Sequence, residues 1–306
     1  MKANLARNLI TTARRCPART AVKLDDDALT YAALDDASAR AARFVRALGV
    51  RTKDRVGLLL PGVLELPVLY YGALRAGAVV VPLSIRLGGG EIGHQLIDSA
   101  SRLLIAWSGF ADAARTGAAE ADANCVLLDV GELAAILARL APMAEPTVRD
   151  AADAAVVVPA ASATGAPRVI ELAHGALAQD VETARLLFGI DEQSVVLCAL
   201  PPSSTFGQEC GLNATVRAGA LLTLIPRFEA GKALQVIERD RVTLFHGAPT
   251  MLTGLLRHPD RERFDLSSLR LCVSIGAALP AALRRECEGA LGCAIVEGRG
   301  VADPLT

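Results

Sequence analysis

Lysine is scarce in this chain of 306 residues. Lysine and arginine together number 32, yet the only lysines are Lys2, Lys23, Lys53 and Lys232, so arginine carries almost all of the positive charge. The formal net charge is −1, and no block rich in lysine and arginine is interleaved with aromatic residues. Because nucleic-acid-binding proteins carry such a basic footprint, the sequence argues against nucleic acid as a partner.

Cysteine motifs and targeting signals are also lacking. No Cys-x-x-Cys pair and no Cys/His metal spacing occurs among the seven cysteines, which are Cys16, Cys125, Cys198, Cys210, Cys272, Cys287 and Cys293. An odd number of dispersed cysteines is typical of reduced thiols rather than a disulfide framework. The first residues are basic, but no apolar segment and cleavage site follow them. We therefore expect a cytoplasmic protein.

No uninterrupted hydrophobic run is long enough to cross a membrane. The most apolar stretch, 56–74, is interrupted by Pro61, Glu65 and Pro67, whereas a spanning helix needs about 20 mainly apolar residues. The sequence predicts a buried strand, a loop and a helix there, and no transmembrane span.

The composition and its pattern indicate a folded α/β protein. Hydrophobic residues make up 52% and charged residues 21%. Short apolar runs alternate with segments of helical period, which predicts two mostly parallel sheets flanked by helices. A helix is expected after Thr30, ending before Gly49. Strands are expected at 56–60, 78–81, 103–107, 126–129, 155–158, 195–200, 221–225, 242–245 and 271–274.

A segment rich in proline, alanine and acidic residues, 142–153, is the best candidate for a boundary. It predicts a first α/β lobe over 1–150 and a second over 151–306.

Three stretches carry a family resemblance, in order along the chain: LTYAALDDASARAARFVRALGVRTKDRVGLLLPGVLELPVLYYGALRAGAVVVPLS, then LRLCVSIGAALP, then VEGRGVADP. They resemble the N-terminal domain of adenylate-forming enzymes, most closely the bacterial long-chain fatty acyl-CoA ligases. The resemblance implies that a fatty acid or other carboxylate attacks the α-phosphate of ATP. Acyl-AMP and pyrophosphate form first, and coenzyme A then receives the acyl group.

A stretch in the second lobe, VVVPAASATGAPRVIELAH, occupies the place of the family's phosphate loop. Glycine there lets backbone N–H groups turn toward an anion, and hydroxyls or cations complete the cradle. The resemblance implies that Ser162, Thr164, Gly165 and Arg168 hold ATP, and that Thr164 is also a ligand to Mg²⁺. It also assigns a catalytic role to Arg168, which stands where lysine is usual. Alanines and Pro159 replace several polar positions, so an ordinary surface loop is the alternative.

Two further segments resemble the acyl-binding region of these ligases. In LPPSSTFGQECG, Ser204 stands where the family carries a catalytic histidine, and the resemblance implies that Phe206 and Gly207 contact the substrate. In HGAPTML, His246 and Gly247 correspond to the acyl channel. The alternatives are packing at a helix start for Phe206 and Gly207 and a hydrogen-bonded structural role for His246.

The last two motifs correspond to the adenine and metal sites. The resemblance places Gly276 and Ala277 beside adenine, although Ile275 stands where glycine is usual. It also assigns nucleotide contacts to Glu297, Gly298, Arg299 and Gly300, with Arg299 in place of the aromatic residue that stacks on adenine. Asp303 would bind Mg²⁺, since carboxylate oxygen is a ligand that this ion prefers. A solvated acid is the alternative for Asp303.

The resemblance also implies parts that this chain would lack: the closing part of a barrel, a mobile C-terminal domain and a late catalytic lysine. We therefore expect an acyl-CoA ligase-like protein that is impaired or inactive as an isolated chain. A separate C-terminal domain or a second copy of the chain is a possible partner. The alternative is a non-catalytic protein that binds an acyl group or a nucleotide, or one that modulates an intact relative.

Overall fold

A computed structural model describes residues 2–160 and 168–298 of the chain. These residues form two compact units. Unit 1 consists of 2–17, 32–61, 65–160 and 168–179, and unit 2 consists of 18–31, 62–64 and 180–298.

Helices and strands alternate along most of the chain. The helices are α1 (Arg7–Arg15), α2 (Tyr31–Ala47), α3 (Glu65–Arg75), α4 (Gly89–Asp98), α5 (Ala111–Glu120), α6 (Glu132–Leu137), α7 (His174–Leu187), α8 (Ala214–Ala218), α9 (Ala230–Asp240), α10 (Pro249–Leu256) and α11 (Ala281–Leu291). A π-helical segment, Gly207–Asn213, precedes α8, and two short 3-10 turns lie at Ser108–Phe110 and Arg261–Arg263.

The strands are β1 (Lys2–Ala3), β2 (Thr20–Leu24), β3 (Asp27–Thr30), β4 (Arg55–Leu59), β5 (Val79–Pro82), β6 (Ser101–Trp107), β7 (Asn124–Leu128), β8 (Arg149–Asp150), β9 (Ala154–Ala160), β10 (Arg168–Ala173), β11 (Val195–Cys198), β12 (Leu221–Thr223), β13 (Leu244–Gly247), β14 (Leu271–Ser274) and β15 (Ala294–Glu297). All nine strands predicted from apolar runs overlap an observed strand.

Unit 1 is built on a six-stranded sheet with the order β10-β9-β5-β4-β6-β7. Its strands are parallel except for the antiparallel pair β9 and β10. Helices α4 and α5 supply Ile92, Leu96 and Ala114 to a core cluster that includes Val81 and Leu104 from the sheet. Strand β1 forms a separate antiparallel pair with β8.

Unit 2 is built on a seven-stranded sheet with the order β15-β14-β13-β11-β12-β2-β3. Only the pair β2 and β3 is antiparallel. Helices α9, α10 and α11 pack on it through an apolar cluster that includes Ile237, Leu252, Leu255 and Leu291. The prediction of two mostly parallel sheets flanked by helices is therefore confirmed.

Helix α2 shows how the sequence pattern becomes structure. Leu34, Phe44 and Val45, at helical spacing, are buried, and Gly49 just past the helix has φ +87°. Glycine adopts this left-handed conformation without the clash that a Cβ would cause, and so it ends the helix.

The division between the units differs from the predicted boundary at residue 150. Strand β9 pairs in parallel with β5 through Val80 and Val156, so the segment after residue 150 continues the sheet of unit 1. Conversely, β2 pairs in parallel with β12 through Val22 and Leu222, which places 18–31 in unit 2. Sheet pairing between residues distant in sequence overrides the local composition of the chain.

Within 2–160 and 168–298, no helix has both the length and the apolar character that crossing a membrane would require.

Candidate active site

Three neighbouring parallel strands of unit 2 end at the same edge of the sheet. Gly247 of β13 aligns with Ser274 of β14, which aligns with Glu297 of β15. The ladder continues beyond the strands: Ile275 N–H donates to the Gly247 carbonyl at 3.0 Å, and Gly298 N–H donates to the Ser274 carbonyl at 3.0 Å. In open α/β sheets, ligands bind outside the carboxyl ends of the strands. The structure thus brings the predicted residues Gly247, Glu297 and Gly298 to one candidate edge.

Gly276 and Ala277 lie on the exposed side of that edge. Gly276 has φ +92°, and, leaving out Gly276 and its two chain neighbours, no atom of the described residues lies within 4 Å of where a Cβ would stand. Ile275 is buried, and its Cδ1 would lie 2.3 Å from a Cβ on Gly298. The Ile275 side chain therefore packs at the Gly298 position, whereas the backbone at Gly276 is exposed.

Phe188, Phe206 and His246 form a ring cluster beneath the edge. Ring centroids lie 5.4 Å apart for Phe206 and His246, at an interplanar angle of 80°, and 5.9 Å apart for each of the other two pairs. A Cβ on Gly298 would lie 3.2 Å from the Phe206 ring. The structure therefore gathers Phe206, His246 and Gly298 in one place.

The imidazole of His246 is fully buried, and neither ring nitrogen has a hydrogen-bond partner among the described residues. Burial lowers the pKa of His246 to about 4 because it disfavours the charged ring. At neutral pH the ring is uncharged and offers one donor and one acceptor. The alternative of a hydrogen-bonded structural histidine therefore finds no support from the described contacts.

Ser204 begins the helical stretch that carries the π-helical segment Gly207–Asn213. Its hydroxyl accepts the Gly207 N–H at 3.0 Å and donates to the Pro201 carbonyl at 2.8 Å. This is the hydrogen bonding of a helix N-cap, which satisfies an amide that has no partner within the helix. A Cβ on Gly207 would lie 2.5 Å from the Pro201 carbonyl oxygen, so glycine is required there. The catalytic assignment of Ser204 stays a prediction.

Two buried polar groups near these elements were not anticipated from the sequence. Glu209, within the π-helical segment, is 2% exposed, and burial followed by the charge of Asp180 raises its pKa to about 7. Its Oε1 and the Ser274 hydroxyl have no partner among the described residues. The signal available for Glu209 was that it is the one acidic residue of the stretch Gly207–Asn213. π-Helical segments are frequent at functional sites.

Three of the four lysines are held in ion pairs. Lys23 pairs with Asp240 and Lys232 with Asp25 in unit 2, and Lys53 pairs with Asp153 in unit 1. Each of these three ammonium groups therefore already has a carboxylate partner.

The remaining predicted residues belong to the two segments outside the described ranges. Ser162, Thr164 and Gly165 lie in 161–167, and Arg299, Gly300 and Asp303 follow residue 298. Arg168 opens β10, where its backbone pairs with Ala160, and its side chain also lies outside what the structure describes. Among the described residues, no group of three or more His, Cys, Asp and Glu side chains is arranged to hold a metal ion.

The two mostly parallel sheets flanked by helices are those of an α/β protein. In such proteins ligands bind at the carboxyl ends of the strands, where the candidate edge of unit 2 lies. The chain belongs to the AMP-binding enzyme family, whose sequence model matches residues 9–303.

Relatives and solved structures agree with this assignment. A feruloyl-CoA synthase from Amycolatopsis sp is 35% identical over 96% of this chain and 58% of its own length. A long-chain-fatty-acid–CoA ligase from Bacillus subtilis is 26% identical over 97% of this chain and 60% of its own. The anthranilate CoA ligase AuaEII, solved with anthranoyl-AMP, superposes with a TM-score of 0.91 at 26% identity, over 98% of this chain and 59% of its own. The chain thus spans less than two thirds of each.

Proposed function

We propose that this chain carries the carboxylate- and nucleotide-binding part of an AMP-forming acid–CoA ligase. The observation that supports the proposal most is the edge of unit 2, where Gly247, Gly276, Glu297 and Gly298 converge beside the buried ring of His246. The proposed reaction joins a carboxylate to AMP with release of pyrophosphate and then transfers the acyl group to coenzyme A.

ATP would be held by residues from two predicted sets. Gly276, Ala277, Glu297, Gly298, Arg299 and Gly300 would contact the nucleoside, and Ser162, Thr164, Gly165 and Arg168 the phosphates. The open backbone at Gly276 fits this role. Thr164 and Asp303 would bind Mg²⁺, which suits oxygen ligands and neutralises phosphate charge when bound.

The catalytic power of this chain is proposed to be low. Ser204 stands at the position where the resemblance assigns a histidine, and serine has no imidazole. Its hydroxyl already donates to the Pro201 carbonyl and accepts the Gly207 N–H. Arg299 stands at the position that the resemblance assigns to a stacking aromatic. Losing one electrostatic contributor to a transition state costs on the order of 10² to 10³ in rate. A nucleotide- or acyl-binding protein without appreciable ligase activity is therefore our second candidate.

The acid is proposed to be aromatic with a polar ring substituent rather than a simple fatty acid. An alkyl chain beside His246 would leave both ring nitrogens without a partner, whereas a phenolic hydroxyl or an amine could bond to one of them. Phe188 and Phe206 offer aromatic faces and edges in the same cluster. A fatty acid remains the alternative.

Radiolabelled pyrophosphate exchange tests the activity. We expect no appreciable exchange with palmitate, octanoate, benzoate or 4-hydroxybenzoate. Calorimetry should nevertheless detect weak ATP binding that Arg168→Ala diminishes. The matched control Arg139→Ala changes an exposed arginine outside the predicted site and should bind as the parent protein does.

Three outcomes separate the candidates. Exchange well above background that is lost in Arg168→Ala would establish a competent adenylating enzyme and contradict the proposed impairment. ATP binding without exchange would support the binding protein. Absence of both, in protein shown to be folded by circular dichroism, would contradict the nucleotide site. For the acid, 4-hydroxybenzoate should raise the melting temperature more than octanoate does, and His246→Leu should abolish that difference.

A further inference from the structure

Strands β14 and β15 bring two cysteines into contact in the core of unit 2. Cys272 aligns with Ile295 in the parallel pair, and Cys293 precedes Ile295 by two residues. Cys293 lies in the turn just before β15, and it shares one buried apolar cluster with Cys272 and Ile295. Their Sγ atoms are 3.4 Å apart.

We propose that Cys272 and Cys293 form a redox-active dithiol site, which takes a hydroperoxide as oxidant and closes to an intramolecular disulfide. A disulfide requires the two sulfurs to lie about 2.05 Å apart. The sulfurs must therefore approach by about 1.4 Å, a shift that side-chain rotation and a small backbone movement can supply.

The two cysteines differ in access. Cys293 is 8% exposed and follows Gly292, which ends α11 with φ +70°, whereas Cys272 is completely buried in the middle of β14. In the described part of the sheet, β15 is an edge strand. Outer strands have only one neighbour and open more readily than central ones. Cys293 is accordingly the thiol that a small oxidant reaches first.

The contact between the sulfurs also distinguishes their acidity. The hydrogen bond with Cys272 lowers the pKa of the Cys293 thiol, while the same contact and burial raise the pKa of Cys272. The thiolate is the nucleophilic form of cysteine. Cys293 is thus the attacking residue, and Cys272 the resolving one.

The reaction balances with hydrogen peroxide as the oxidant. The Cys293 thiolate attacks one peroxide oxygen, the O–O bond breaks, and hydroxide leaves as Cys293 becomes a sulfenic acid. The Cys272 sulfur then attacks the Cys293 sulfur, forming the S–S bond and releasing water. In total, two thiols and one peroxide give one disulfide and two waters, and the two electrons pass from sulfur to oxygen.

A third cysteine supplies a matched control. Cys287 on α11 belongs to the same apolar cluster and is also fully buried. No sulfur contact joins it to Cys293 among the described hydrogen bonds, in contrast to Cys272. If proximity within the cluster were enough, Cys287 would compete with Cys272 as the resolving thiol.

The test treats dilute full-length protein with a small excess of hydrogen peroxide, blocks remaining thiols and analyses tryptic peptides by mass spectrometry. Cleavage at arginine separates Cys272, in 271–284, from Cys293, in 286–299. We expect loss of two of the seven thiols and a cross-linked pair of these peptides, lighter by two hydrogens than the reduced pair. Fragmentation should place the bond at Cys293, and dithiothreitol should reverse it.

Variants decide between the possible partners. Cys287→Ser should retain the cross-link, whereas Cys272→Ser and Cys293→Ser should abolish it, with a sulfenic acid trapped by dimedone at Cys293 in Cys272→Ser. Should Cys272→Ser fail to fold, Cys272→Ala serves instead, and the peptide map of the parent protein is decisive by itself. A bond from Cys293 to Cys287, a bond between two chains, or oxidation to sulfonic acid without any cross-link would overturn the proposal.

Discussion

Each unit of the protein contains one buried histidine, and the two differ in their hydrogen bonds. In unit 1, His174 is 1% exposed; its Nδ1 accepts the Leu5 N–H at 3.0 Å, and its Nε2 has no partner among the described residues. In unit 2, His246 is fully buried, and neither nitrogen has a partner among the described residues. The pKa is lowered to about 4 in both cases, by burial first, with the charge of Arg149 second for His174.

The comparison shows that a shifted pKa does not by itself identify a functional residue. His174 bonds to the backbone at Leu5 and so links two distant segments of unit 1. Its depressed pKa follows from burial and from the nearby charge of Arg149. His246 makes no such bond, although an unsatisfied buried polar group costs about 1–3 kcal/mol. Hydrogen bonding separates the structural histidine from the candidate ligand-binding one, whereas the pKa does not.

The largest expected effect concerns Arg149, a buried charge of unit 1. Its guanidinium donates to the Gly77 carbonyl, to the Ala154 carbonyl at 3.2 Å and to Asp153 Oδ2 at 3.1 Å. Arg149→Met removes these bonds from a buried site and should lower the unfolding free energy by about 3–5 kcal/mol in urea titrations. The exposed control Arg139→Met should change it by less than about 0.5 kcal/mol. A loss as small as the control's would show that unit 1 does not depend on satisfying its buried polar groups.

The second prediction uses pH to test what the two histidines have in common. Each has a folded pKa of about 4, below the ordinary value near 6.5. Between these values the unfolded chain binds more protons, so stability is present above pH 6.5 and is lost as pH falls toward 4. The loss should approach about 3 kcal/mol per histidine as an upper limit. Urea titrations at a series of pH values give the unfolding free energy at each pH. This free energy should fall less steeply between pH 6.5 and 4 in His174→Leu and in His246→Leu than in the parent protein. An unchanged pH dependence in both variants would contradict the prediction.

The third prediction separates the two histidines at neutral pH. His174→Leu leaves the Leu5 N–H without its acceptor and should cost about 1–3 kcal/mol. His246→Leu removes two nitrogens that had no partner, at similar volume, and should leave stability unchanged or raise it by at most about 1–3 kcal/mol. The pair of variants is its own control, measured by the same denaturation. Equal destabilisation would mean that His246 also has a structural bonding role.

How far the sequence predicts this molecule depends on the range of the interaction. β5 is a continuous apolar run with every residue buried, and its pattern alone revealed it. β15 carries only three apolar residues and was missed, because it is specified by pairing with β14. The boundary at residue 150 was misplaced for the same reason: β9 belongs with β5, a partner far away in sequence.

The sequence indicated which residues lie near the candidate edge better than it indicated their contacts and burial. The family resemblance pointed to His246 and Gly298, and the structure places both near Phe206. It did not predict that Ser204 caps a helix or that Glu209 is buried with a raised pKa. The cap at Ser204 and the raised pKa of Glu209 both depend on the residues that surround them in the folded protein, and these surroundings cannot be read from the residue type.

The smallest expected effect compares two tightly packed glycines, one in each unit. At Gly72, in the middle of α3, a Cβ would lie 2.6 Å from the Ala41 Cβ and 3.1 Å from its carbonyl carbon, so a helix backbone would have to move. At Gly298 a Cβ would lie 2.3 Å from Ile275 Cδ1, the end of a side chain that can rotate, 2.9 Å from Val273 Cγ1 and 3.2 Å from Phe206 Cε2, which are all side-chain atoms.

Overpacking typically costs about 1–3 kcal/mol, and replacing a mid-helix glycine with alanine returns about 1 kcal/mol of helix propensity. Gly72→Ala should therefore destabilise the protein by a net amount of about 1 kcal/mol, and Gly298→Ala by about 0.5 kcal/mol, since the atoms nearest to Gly298 belong to side chains rather than to a helix backbone. Thermal melts under identical conditions measure both. A larger loss for Gly298→Ala would show that Ile275 is locked in place and that the candidate edge of unit 2 is as rigid as the helix pair of unit 1.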